Sequence, residues 1–552
     1  MLYISYKTIK RIGYISVFYL CCSIATFSVA EIVPVSTEPP ANLARTNTPQ
    51  FICITFDDAV NDRSWEWVQQ ISDHLQADGS PVPLTFFVSL YYTDYWLVHF
   101  LHAAGHEIAV HTITHPHGVP NSFKTWVREI EGARECLSRY ADIPVEEIRG
   151  FRAPYLEFSP AQFDALAALD FDYDCSISEK PGTQPGNLSS NGSTYIWPYT
   201  LQDGVKQICD SKGVPPTNSL PSLMEIPMWD LNEGDTHLGM DPPGSYEYLL
   251  SLFKTNLVER YNGNRVPLCI WLHPGWLEDS NHVQALNEFL DWSLAIPDVH
   301  AISLSMLNDW MHSPCPASEI NINQHPEFIA QTNEPMPEAE SEECLFRFGD
   351  GDENRGFRTC GERPPVYPQP ENAFQRCLPV DGVTVEIIIT QDWGTGFMGK
   401  IIVDHQKEQP LCAWTIDFAP GDYSINSLWG KTSYCTNNGT IHIYPGNHLA
   451  EIPAGRTEFA EFSGSGDFST IGTPQYSFYL PGYEQPTLNL QMGSNSTSCL
   501  LNWDRRAIGY QLQQRLSLLA GSWETVTTYY GDCQADKPII TDQIFYRLKC
   551  IY

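Results

Sequence analysis

Apolar and polar positions follow two different rhythms along this chain. From Phe51 to about Met311, short apolar runs such as FICITF (51–56), PLTFFVSL (83–90) and EIAV (107–110) alternate with stretches of helical spacing, among them WEWVQQISDHL (65–75). Alternation of this kind predicts a parallel α/β architecture. After Cys377 the rhythm shortens to β-rich runs, VEIIITQDW (385–393), KIIVDH (400–405), AWTIDF (413–418) and TIHIYP (440–445), broken by Gly, Asn and Asp turns. That is the signature of a β-sandwich over 377–470, and a second β-rich piece follows over 476–552. Residues 313–376 carry neither rhythm. They are rich in Pro, Glu and Asn and hold Cys315, Cys344 and Cys360, which reads as a linker or a small disulfide-tied unit.

The N-terminus adds a different signal. Lys7, Lys10 and Arg11 precede an apolar stretch from Ile12 to Ala30 that closes on Ser28-Val29-Ala30, the form of a signal peptide (1–30) cleaved before Glu31. A retained anchor is the alternative, although the run is near the short limit for crossing a bilayer. Residues 31–48 then form a short N-terminal linker. The expected product is extracellular, with no membrane association after cleavage, and the sequence carries no sign of an oligomeric state.

At 552 residues the chain exceeds one ordinary core, so three or four units are expected. Its formal charge of −34 argues against nucleic acid as a partner. Of the 16 cysteines, Cys21 and Cys22 fall in the leader. The others, for example Cys377, Cys412 and Cys435, lack CxxC zinc spacing and read as disulfide partners in an exported chain.

Candidate chemistry clusters at the ends of the apolar runs. Asp57 and Asp58 follow FICITF directly. Adjacent strand residues face opposite ways, so two neighbouring carboxylates serve one site only where the strand opens into a loop. Taken alone, the pair is more often part of a turn. HEIAVHTITHPHG supplies His111 and His115 at i and i+4, which can face one way as paired ligands, while His106 and His117 lie nearby as decoys. A histidine pair by itself is more often simply solvated. Two imidazoles and one carboxylate form the minimum protein set for a catalytic zinc, and a second carboxylate could take a water proton. His273, in PLCIWLHPGW, is the candidate acid for a leaving group, against the plain reading of a loop cap. Arg152, in FRAPY (151–155), could fix an ionised base, or could simply be a surface arginine beside a turn.

TFDDAVND (55–62), HTITH (111–115), RAPYL (152–156) and WLHPGW (271–276), in this order, together resemble the motif set of the polysaccharide deacetylases over residues 49–312. EIRGFRAPYL, IWPYTL and MEIPMWDLN resemble the animal-type chitin deacetylase branch. The resemblance implies a distorted (β/α) barrel. It makes Asp58, His111 and His115 the ligands of Zn²⁺ or another divalent metal, Asp57 the general base, His273 the general acid and Arg152 the partner of Asp57. Tyr155 would lend a backbone N–H to an oxyanion hole. Asp174, in YDYDCSIS, is the candidate carboxylate behind the catalytic histidine, with Asp172 as its neighbour. Trp197 is placed along the substrate groove. Trp271 stands where many members carry Leu, which bears on the acetyl pocket.

The stretch from Val383 to about Asp467 resembles a bacterial cellulose- and chitin-binding sandwich, in which Trp393 and Trp429 match sugar-stacking positions and His448 stands at a third. The plain alternative places tryptophans in the core, as expected for Trp414. The C-terminal piece resembles fibronectin-like modules. These resemblances imply a hydrolase removing N-acetyl groups from chitin or a related polysaccharide, to whose cationic product the acidic chain would be attracted. An acetyl-xylan esterase acting on an acetylated plant polymer, and a catalytically silent carbohydrate-binding protein, are the alternatives.

Overall fold

A computed structural model of the chain describes residues 32–180, 195–320 and 355–483, except positions 73, 77–78, 119, 208–212, 235, 431, 438 and 446–450, together with strands at Leu2–Ser5, Leu345–Phe348 and beyond residue 483. Of the expected signal peptide (1–30), all but Leu2–Ser5 lies outside the described residues, as does His448.

Nine strands form the central sheet of the first unit: β1 (Gln50–Asp58), β2 (Thr85–Val88), β3 (Glu107–Val110), β4 (Gly150–Phe151), β5 (Tyr173–Asp174), β6 (Tyr199–Leu201), β7 (Leu220–Glu225), β8 (Leu268–Leu272) and β9 (Val299–Ala301). Their order is β8-β1-β2-β3-β4-β5-β7-β6, with β9 also against β1. Every pairing is parallel except β6 with β7. Among the described residues, seven helices connect or cover the strands: α1 (Asp62–Ser72), α2 (Tyr95–Ala103), α3 (Phe123–Tyr140), α4 (Pro160–Ala168), α5 (Tyr246–Asn262), α6 (Ser280–Leu294) and α7 (Leu304–His312). The sheet curls into a distorted, incomplete (β/α) barrel. Its strands are largely apolar because parallel strands are covered on both faces; in β1 every residue is buried until Asp58. Side-chain caps fix helix starts: Ser122 accepts from Thr125 N–H and Ser159 from Gln162 N–H.

The stretch read as linker contributes to this unit. Phe357 and Ala373 are buried in the same core as the barrel helices. Arg358 reaches Asp62 at 2.6 Å and Asp94 at 2.5 Å, and Arg139 on α3 donates to the carbonyls of Ala373 and Gln375. Residues 355–375 therefore form a strap across α2 and α3. Composition obscured this, because a few anchors suffice to hold an otherwise polar segment.

The following sandwich has two antiparallel sheets. One is ordered 375–379, 475–483, 413–418, 440–445, 432–437, and the other 384–392, 396–405, 455–466, 423–430. Strand Gln475–Tyr483 sits between two strands of the first sheet, so the sandwich runs on past residue 470 to 483. Phe397, Trp414, Ile416, Ile443 and Phe462 fill its interior, with Trp414 in the core as expected. Beyond it the described residues are strands, with Tyr510–Arg515 paired to Gln543–Cys550. No helix of the described residues is long and apolar enough to cross a membrane.

Candidate active site

The carboxyl ends of the parallel strands meet at one edge of the barrel, where ligands bind in such folds. Asp58 ends β1, His111 follows β3, Arg152 follows β4 and His273 follows β8. Asp58, Thr112, His115 and Tyr155 have positive φ (80°, 73°, 54° and 55°). Such backbone is costly for non-glycine residues and persists where surrounding structure holds it. The reversal at Asp58 breaks strand alternation, so both adjacent carboxylates serve one site.

Asp57 is buried and ion-paired with the fully buried Arg152. That guanidinium also donates to Thr55 Oγ1 (3.0 Å) and the Cys175 carbonyl (2.9 Å), and lies between the rings of Phe87 (4.0 Å) and Trp271 (4.7 Å). Asp58 faces three imidazoles, at 3.2 Å from His115 Nε2, 3.8 Å from His111 Nε2 and 3.7 Å from His273 Nε2. Burial pushes the Asp58 carboxyl up, but the hydrogen bond from His115 and the charges of the three histidines bring it down to about 2.

Among the described residues, Asp58, His111 and His115 form a group whose ligand atoms all lie within 4.8 Å of one another. The donor set fits a metal. His111 Nδ1 lies 2.8 Å from the Arg152 carbonyl, which can only accept, so this nitrogen carries the proton and Nε2 keeps its lone pair toward Asp58. Burial holds the His111 imidazole below its usual range, which keeps it neutral.

His273 Nδ1 meets Asp241 Oδ2 at 2.5 Å, and the other Asp241 oxygen accepts from His273 N–H. Burial lowers the His273 pKa, but the Asp241 hydrogen bond and the charges of Asp57, Asp241 and Asp58 raise it to about 9. Asp241 is the residue that sequence reasoning missed. It lies in the loop LGMDPPG (238–244), with no apolar run to announce it, and an N–H bond to the Trp271 carbonyl carries it beside β8.

Asp174 is corrected accordingly. Its fully buried carboxylate accepts from Gln162 Nε2 (2.7 Å), Ser176 N–H (3.0 Å) and Ser176 Oγ (2.9 Å), and Ser176 Oγ in turn accepts from Ala153 N–H. It braces the Arg152–Tyr155 loop and does not touch His273. Burial lifts Asp174 to about 7 and Glu225 beside it well above the carboxylate range.

Trp197 and Trp271 do not line a groove. Both are buried: Trp197 packs on Trp310 in the barrel interior and donates to the Asn264 carbonyl, and Trp271 backs Arg152 and donates to the Trp229 carbonyl. The Tyr155 ring is half exposed and stacks on His117 at 4.3 Å. His106 is buried in the α2–β3 corner, where burial lowers its pKa to about 4. In the sandwich, Trp393 and Trp429 are 55% and 48% exposed; Trp429 lies on one edge strand of a sheet and Trp393 in the turn that follows the opposite edge strand. Cys53, Cys136, Cys175, Cys269, Cys315, Cys377 and Cys412 are not disulfide-bonded, which departs from the expected pairing, although Cys377 and Cys412 bring their sulfurs to 3.4 Å.

Comparison with known proteins agrees with this geometry. The model of the polysaccharide deacetylase family matches residues 44–173, and that of a cellulose binding domain matches 383–482. Chitin deacetylase 8 of Bombyx mori is 32% identical over 303 residues, covering 51% of this chain and 75% of that protein. Chitin deacetylase 1 of the same organism is 28% identical over 311 residues, and the chain spans about half (54%) of its length. Among solved structures, a family 4 carbohydrate esterase from Streptomyces lividans in complex with acetate is 13% identical, with a TM-score of 0.25, covering 46% of this chain and 91% of that one. With Chitin deacetylase 8 of Bombyx mori 32% identical and three-quarters covered, and with the motifs gathered in one site, the chain belongs to the polysaccharide deacetylase family, and its sandwich matches a cellulose binding domain.

Proposed function

We propose that the chain is a secreted, zinc-dependent deacetylase that releases acetate from N-acetylglucosamine residues of chitin or a related polysaccharide. The observation that carries the proposal is the convergence of Asp57, Asp58, His111, His115 and His273 at one edge of the barrel. Asp58, His111 and His115 would hold the ion. When bound, it supplies Lewis acidity that polarises the acetyl carbonyl and makes water a better nucleophile.

The protein's own groups divide the proton transfers. Asp57, oriented by Arg152, accepts a proton from the attacking water. His273 Nε2, protonated because Asp241 stabilises the imidazolium, hands its proton to the amine nitrogen as the C–N bond breaks. The Tyr155 backbone N–H, presented by the rigid turn after Pro154, would meet the developing oxyanion. In the sandwich, Trp393 and Trp429 would stack on sugar rings and hold the enzyme on its polymer.

The two Bombyx relatives are named as chitin deacetylases, which supports the amide substrate. The match to a cellulose binding domain favours a second reading, an esterase on acetylated xylan. Incubation with defined chitooligosaccharides and with acetylated xylan, followed by mass spectrometry, separates them. Loss of acetyl mass from the chitooligosaccharides is expected, and release from xylan alone would replace the first reading with the second.

A further inference from the structure

The two histidines of the candidate metal site lie on a loop whose conformation the backbone alone disfavours. Thr112 and His115 both have positive φ, and between them stand Ile113 and Thr114. One buried side chain takes up this segment. Glu129, on the second turn of α3, accepts from Ile113 N–H at 2.9 Å, Thr114 N–H at 3.0 Å and Thr114 Oγ1 at 2.6 Å. The carbonyls of Thr112 and Ile113 accept from Leu90 and Tyr91 N–H, and Thr112 Oγ1 accepts from His115 N–H. The Ile113 side chain is held too, because α3 offers a glycine there: a Cβ on Gly132 would lie 2.8 Å from Ile113 Cδ1 and 2.9 Å from Ala373 Cβ of the strap. A carboxylate without a cation beside it is costly to bury, and here its charge is met by three donors from the stretch linking His111 to His115.

We propose that Glu129 is a positioning residue of the metal site: it touches neither metal nor substrate, but fixes Ile113 and Thr114 so that the imidazoles of His111 and His115 converge with Asp58. The inference rests on the reading of Asp58, His111 and His115 as metal ligands.

The test is zinc affinity of the full chain, stripped with a chelator and titrated with Zn²⁺ against a chromophoric competitor. Glu129→Gln is compared with wild type, with Thr114→Val, which removes only the hydroxyl donor, and with His115→Ala. Partners that orient ligands typically contribute a factor of about 10–100 in metal affinity. Glu129→Gln is therefore expected to weaken zinc binding by about that factor while retaining wild-type circular dichroism. Thr114→Val should show a smaller loss in the same direction. If wild type binds zinc and His115→Ala does not, yet Glu129→Gln binds as tightly as wild type, the positioning role is overturned and the ligand reading stands. If wild type itself binds no zinc, the ligand reading fails first, and the inference with it. Should Glu129→Gln fail to fold, Thr114→Val decides alone, and unchanged affinity there overturns the role.

Discussion

Asp57 and Asp58 are identical in chemistry and adjacent in sequence, yet their surroundings divide them: one is buried against a guanidinium, the other turns toward three imidazoles. Two phenotypes follow. Asp57→Asn should keep its zinc and lose kcat by about 100-fold or more, the usual size of a general base contribution. Asp58→Asn should lose the zinc itself, and metal analysis of both variants beside acetate release distinguishes these outcomes. With His273 raised to about 9, the acid is protonated at neutral pH, and the productive form is lost as pH rises through that value. Asp241→Asn removes the hydrogen-bonding charge, so the alkaline limb of kcat/KM should move to lower pH; an unmoved limb would show that Asp241 does not set it. Asp57, Asp58, His111 and His273 were legible because each ends or follows an apolar run. Asp241 was not, because a loop carries it in from a polar stretch. Trp197 and Trp271 were misplaced because aromatic identity does not reveal which face of a strand or loop a ring takes.

The parallel strands of the barrel and the antiparallel strands of the sandwich could be read from spacing alone, since burial on two faces gives continuous apolar runs and burial on one gives alternation. The strap over 355–375 could not. Its hold on the barrel comes from Phe357, Ala373 and the Arg358 ion pairs, anchors too sparse to make a periodic pattern. Phe357→Ala should cost about 3–5 kcal/mol, as large core truncations do, read as a shift in the urea midpoint of the catalytic unit. A fragment ending at residue 312 should be less stable than one ending at 376 for the same reason. Equal midpoints for the two fragments would mean that the strap only lies on the surface.

Across the whole molecule, a site for acetyl chemistry is joined to a sandwich that exposes Trp393 and Trp429 while burying Trp414. Replacing Trp393 and Trp429 with Ala should abolish retention on crystalline chitin or cellulose and leave acetate release from a soluble oligomer unchanged. Retention that survives both changes would assign these rings no binding role. The metal-assisted deacetylation we propose is carried out by residues gathered at one edge of the barrel. Its most direct measurement is acetate released from chitooligosaccharide by the full chain before chelation, after chelation and after return of one equivalent of Zn²⁺. We predict release that is lost on chelation and restored by zinc, with no restoration in His111→Ala; release that persists in the stripped protein would contradict the account.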